Sequence, residues 1–109
     1  MIKNITSLDQ LATARNQKGC LVYFSHDKCN VCKVLKPKVH QLLNEYFPHL
    51  EMYYCDTEHY PQIAAQNSIF TVPTLIIFFD GKEFFRKSRN IGLEELKNEL
   101  KRPYSLMFE

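Results

Sequence analysis

Cys20-Leu21-Val22-Tyr23-Phe24 and, after a gap of four residues, Cys29-Asn30-Val31-Cys32 form the stretch that decides the fold. The first five residues are a near-continuous apolar run, as expected of a strand buried on both faces. From about Asn30 to Phe47, Leu35, Val39, Leu42, Leu43 and Tyr46 recur at three- and four-residue steps, which predicts a long amphipathic helix. Pro37 falls inside it, removes one backbone donor and crowds the carbonyl four residues back, so a kink is expected there. The two cysteines therefore stand where a buried strand hands over to a helix.

That placement has chemical content. Unpaired N–H groups and the positive end of the helix dipole stabilise a thiolate at Cys29, and Cys32, with two residues between them, is positioned to resolve what Cys29 attacks. Lys28, Lys33 and His26 add positive charge nearby, although His26 reads most simply as a solvated loop residue and is left out of the site. Zinc also uses C-x-x-C pairs, but Cys20 and Cys55 are single and far apart and the four histidines lack ligand spacing, so no metal is expected. Cys20 and Cys55 each fall on a predicted buried strand and read as small, inert core residues.

Outward from this centre, helical and extended patterns alternate. Ser7-Leu8-Asp9-Gln10 reads as a capping box opening a short helix with Leu8, Leu11 and Ala12 as its apolar positions, and Gly19 closes the loop after it. Met52-Tyr53-Tyr54-Cys55 is extended, and Ile63-Ala64-Ala65 suggests a short helix after Pro61. Asp80-Gly81 joins Thr74–Phe79 to Lys82–Phe85 as a hairpin. Leu93, Leu96 and Leu100 line a terminal helix that Pro103 is expected to stop. The tail Tyr104-Ser105-Leu106-Met107-Phe108-Glu109 is apolar for a chain end, and docking on the body is its simplest reading. The expected class is α/β, with a central mixed sheet flanked by helices on both faces.

The chain has 109 residues, 45% of them apolar, enough for one hydrophobic core and one domain spanning residues 1–109. Its net charge of +2 is spread among acids and bases, which gives nucleic-acid binding no support. Arg86-Lys87-Ser88-Arg89 is the one basic cluster and reads as a solvated strand end. No run is apolar enough to span a bilayer, and a start at Met1 without an apolar leader favours a cytoplasmic location, where thiols stay reduced.

The strand Leu21 to Phe24, Cys29-x-x-Cys32, Lys33 after it, Pro37 five residues beyond, and Val72-Pro73-Thr74-Leu75 before a strand ending Phe79-Asp80-Gly81 together resemble the thioredoxin family along nearly the whole chain. The resemblance implies a thioredoxin-like fold and a thiol–disulfide oxidoreductase that reduces protein disulfides through Cys29 and Cys32. Its electrons would come from a thioredoxin-reductase-like or dithiol donor, with no further cofactor. It also implies that Pro73 is cis and that the Val72 backbone pairs with bound polypeptide. The departures matter too. The family's Trp-Cys-Gly-Pro-Cys is here Lys28-Cys29-Asn30-Val31-Cys32, so the redox potential is not inherited. The family's buried aspartate falls at Tyr23, its companion lysine at Met52, and a glycine near the dithiol at Arg89. A phenol is a poor base at neutral pH. These replacements keep a second reading open, a thioredoxin-fold binding or adaptor module with little turnover.

Overall fold

The computed structural model describes residues 1–109. Its elements run β1 (Ile2–Asn4), α1 (Leu8–Arg15), β2 (Gly19–Ser25), α2 (Asn30–Tyr46), β3 (Glu51–Asp56), α3 (Pro61–Gln66), β4 (Thr74–Phe79), β5 (Lys82–Ser88) and α4 (Leu93–Phe108). The five strands form one mixed sheet in the order β1-β3-β2-β4-β5. β3 runs parallel to both β1 and β2, whereas β4 is antiparallel to both β2 and β5. Every residue of β2 is buried, as its unbroken apolar run requires of a central strand covered on both sides.

Side-chain alternation along the strands feeds two separate cores. Leu21, Tyr23, Met52, Leu75 and Ile77 meet Val39 and Leu43 of α2 and Leu96, Leu100 and Tyr104 of α4. On the opposite face Cys20, Val22, Phe24, Cys55, Ile76 and Phe78 meet Leu11 and Ala14 of α1 and Ile63 of α3. The mixed sheet flanked on both faces is present as the alternating pattern predicts.

Local chemistry explains the boundaries. The Ser7 hydroxyl accepts from the Gln10 N–H at 3.1 Å, and the Gln10 side chain reaches back to the Thr6 N–H at 2.6 Å, one residue before the usual capping-box partner. Asp80 and Gly81 both have positive φ, 54° and 82°, the backbone of a type I′ turn whose twist suits a hairpin.

Several expectations are corrected. β1 carries too few residues for a local signal and exists because it pairs with β3. Leu8 and Ala12 of α1 face solvent, as does Tyr46 at the end of α2, while Ala14 takes an inward position instead. Gly19 opens β2 rather than closing a loop; a Cβ there would stand 2.7 Å from Leu50 and 3.1 Å from the Phe108 ring.

Pro103 does not stop the last helix, since α4 continues through it to Phe108. Tertiary packing outweighs the local penalty. The Tyr104 ring is buried edge-on to Phe47 at 5.1 Å, its hydroxyl accepts from the His49 N–H at 3.0 Å, and Phe108 stacks on His49 at 5.5 Å. Two such aromatics contribute about 1.5–3 kcal/mol each, against about 3 kcal/mol for a helix-interior proline. The tail is docked.

Candidate active site

β2 ends at Ser25, and four residues later Cys29 serves as the N-cap of α2 with extended φ and ψ. The turn is closed by the Cys29 N–H bonding to the His26 carbonyl at 3.2 Å. Cys29 and Cys32 are joined as a disulfide with Cα atoms 5.2 Å apart. Cys29 is half-buried, whereas Cys32 is 1% exposed. The Cys32 N–H points at the Cys29 sulfur from 3.2 Å, doing for a sulfur what a capping hydroxyl does for an oxygen. In the reduced chain that donor and the dipole of a 17-residue helix would act on Cys29, the more accessible of the two sulfurs.

Beneath the pair, Tyr23 is wholly buried and its hydroxyl donates to the Cys32 carbonyl at 2.9 Å. Burial, helped by the neighbouring Tyr54, pushes this phenol well above the ordinary tyrosine range, so it stays protonated. Met52, also buried, lies across the β2–β3 register from Leu21. The two positions where the resemblance leads one to look for a buried acid and a buried lysine thus hold a fixed hydroxyl donor and a thioether.

The Val72–Pro73 loop leaves the sheet at the same end as the dithiol, because Phe24 is paired with Thr74 in the antiparallel register. Its peptide bond is cis. The Pro73 carbonyl accepts from the Arg89 N–H at 2.9 Å, and the Thr74 hydroxyl donates to the Thr71 carbonyl at 2.8 Å. Two open clefts lie here, one against the dithiol turn and one against this loop. One, of about 730 Å³, is lined by Asn30, Val31, Val34 and Arg89 among others; the second, of about 400 Å³, by His26, Phe70 and Val72.

His26 departs from its expected solvated state. Its side chain is only 25% exposed, and Nδ1 stands 3.2 Å from the Glu58 carboxylate. That approach lacks hydrogen-bond geometry, which leaves Nδ1 buried without a hydrogen-bond partner. Lys28 reaches the same carboxylate at 3.5 Å while remaining largely in solvent. Because Glu58 arrives from the loop after β3, nothing local in the sequence signals this grouping. Lys36, in the second turn of α2, places its ammonium 3.6 Å from the Tyr54 ring, and burial lowers its pKa.

Cys20 and Cys55 are fully buried free thiols in the core on the other face of the sheet. Burial pushes Cys20 up to about 12 and Cys55 up to about 11, far from any reactive range.

The comparisons with known proteins agree with this geometry. The Thioredoxin family model matches residues 5–102. The "Thioredoxin-like protein YdfQ" of Bacillus subtilis is 33% identical over 109 residues, covering 96% of each chain. A "Thioredoxin" of Chlamydia trachomatis is 37% identical over 75 residues, covering 69% of this chain and 70% of its own. Among solved structures, thioredoxin 1 from Thermosipho africanus superposes with a TM-score of 0.73 at 31% identity, over 83% of this chain and 99% of that one. A mutant thioredoxin from Halobacterium salinarum reaches 0.83 at 21% identity, over 92% and 88%, a likeness of fold. With a thioredoxin fold and a C-x-x-C pair capping the helix after the central strand, the chain belongs to the thioredoxin family.

Proposed function

We propose that this chain is a protein-disulfide oxidoreductase working in the reducing direction, with Cys29 as nucleophile and Cys32 as resolving thiol. The observation that carries the reading is the asymmetry of the pair: Cys29 is accessible at a helix N-terminus with an N–H aimed at its sulfur, and Cys32 is enclosed behind it. A thioredoxin-reductase-like or dithiol donor supplies two electrons and two protons to open the Cys29–Cys32 bond. The Cys29 thiolate then attacks one sulfur of a substrate disulfide, and the other leaves as a thiolate that takes a proton. Cys32, deprotonated, attacks the Cys29 sulfur of the mixed disulfide and releases the second substrate thiol. The proton of Cys32 passes to the departing substrate thiolate or to water, because Tyr23 holds its own proton.

Val72 and Pro73 form the substrate-binding edge, with the Val72 backbone pairing with the bound polypeptide between the two clefts. Net reduction suits a reducing compartment such as the cytoplasm, and residues 1–109 act as one domain.

Cys32→Ser tests the assignment directly. The variant should accumulate a mixed disulfide on Cys29 with a disulfide-bearing protein, seen by intact mass, while Cys29→Ser should form none and lose all turnover. The reverse pattern would exchange the two roles. The loss of a buried acid and lysine at Tyr23 and Met52 favours one other reading, a binding module with little turnover. Such a module would keep its partner after Cys29→Ser.

A further inference from the structure

The larger cleft opens against the dithiol turn itself. Asn30 and Val31, the two residues between the cysteines, form part of its wall; Val34 and Ile91 extend the apolar surface, and Arg89 and Lys38 supply positive charge. Val31 and Val34 are 65% and 58% exposed, an apolar surface left open beside a reactive bond. The lysines and arginines held in ion pairs are Lys3, Lys28, Arg86 and Lys87, so Arg89 and Lys38 are uncompensated. The cleft's one carboxylate, Glu95, is already taken by Lys87, which also holds Glu99 at 2.7 Å. What is left beside the disulfide is an apolar wall under two free cations.

Arg89 is held there against backbone preference. Its φ of 63° lies in the left-handed region that favours glycine, and its N–H is fixed to the Pro73 carbonyl at 2.9 Å. The backbone thus ties a guanidinium-bearing residue to the Val72–Pro73 edge, at a place where glycine would relieve the strain.

We propose that Arg89 and Lys38 select the substrate: the cleft accepts disulfide-bearing polypeptides in which an acidic side chain lies next to an apolar residue flanking the reacting cysteine. This deepens the oxidoreductase reading and rests on it. The apolar residue covers Val31 and Val34, and the carboxylate faces Arg89 and Lys38. Contacts between exposed charges shift rates by up to about fivefold per pair and weaken with salt.

The test uses the full chain, dithiothreitol as electron source, and two disulfide-bridged peptides identical except for Glu or Lys next to a Leu beside one cysteine. The reading is the ratio of kcat/KM for the Glu peptide to that for the Lys peptide. The expected ratio is about fivefold or more at low salt, falling toward one at about 1 M sodium chloride, where the Debye length is about 3 Å. Arg89→Lys should keep the preference, Arg89→Gly should cut it, and Arg89→Glu combined with Lys38→Glu should reverse it, with thermal unfolding confirming that each variant is folded. Equal rates on the two peptides at low salt overturn this inference alone. A chain that exchanges with neither peptide nor dithiothreitol overturns the oxidoreductase reading and this inference with it.

Discussion

The hydroxyl of Tyr23 donates to the carbonyl oxygen of Cys32 across 2.9 Å, so the ring beneath the disulfide is fastened to the backbone of the residue proposed to resolve it. A charged group at this depth would need a partner of opposite sign, and Met52 supplies none. Tyr23 keeps the space filled and the carbonyl satisfied without charge.

Tyr23→Phe deletes only the hydroxyl. The expected cost is about 1 kcal/mol, or roughly 5 °C in Tm, as for one neutral hydrogen bond in a domain of this size. Exchange with dithiothreitol should persist at a similar rate, since a protonated phenol does not act as a base. Thermal unfolding together with stopped-flow exchange measures both. A stable variant with slow exchange would give the phenol a part in proton transfer.

Cys20 and Cys55 should resist alkylation. With the Cys29–Cys32 bond intact, iodoacetamide at about pH 8 is expected to add nothing to the folded chain and two groups after denaturation, counted by intact mass. A single adduct on the folded, oxidised chain would show that one of these core positions opens to solvent.

The same two thiols set an alkaline limit. Each is protonated more firmly in the folded chain than in the unfolded one, Cys20 rising from an ordinary 9.0 to about 12 and Cys55 to about 11. Above pH 9 the unfolded chain therefore loses these protons first, and stability falls as pH rises. Their contribution is complete below pH 9. It declines through about 11 and 12, at no more than ~1.4 kcal/mol per pH unit for each thiol. Urea midpoints measured from pH 8 to about 11 should trace this decline, and Cys20→Ala with Cys55→Ala should start lower but flatten it.

At the far end of the chain, Tyr104→Ala should cost about 3–5 kcal/mol, because the ring is enclosed against Phe47 and the His49 N–H loses its acceptor. Pro103→Ala should act oppositely, adding about 1–2 kcal/mol by restoring a backbone donor inside α4. Denaturant unfolding of both variants checks the signs. A neutral Tyr104→Ala would mean that the last turn of α4 does not support the core.

What the sequence discloses, and what it conceals, follows the range of the interactions. β2, the long α2 with Cys29 at its start and the Asp80-Gly81 hairpin are legible because their signals are local: an unbroken apolar run, a helical period, a turn dipeptide. β1 is not, because three residues become a strand only by lying beside β3. The helix beyond Pro103 is hidden for the same reason, since Phe47 and His49, which hold Tyr104, are more than fifty residues away. Around the dithiol, Cys29, Cys32, Val72 and Pro73 can be picked out by motif. The approach of Glu58 to His26 and the left-handed backbone of Arg89 depend on tertiary contacts that no spacing reveals.

The sheet also acts as an insulator. α2, which begins at the dithiol, packs on one face, and Cys20 and Cys55 are sealed into the other. A disulfide needs Cα atoms within about 7 Å and side chains pointing at each other, and here a layer of hydrogen-bonded backbone stands between the two sets of thiols. Four cysteines can therefore share a small chain without cross-wiring: the sheet keeps the two core sulfurs out of reach of the Cys29–Cys32 pair.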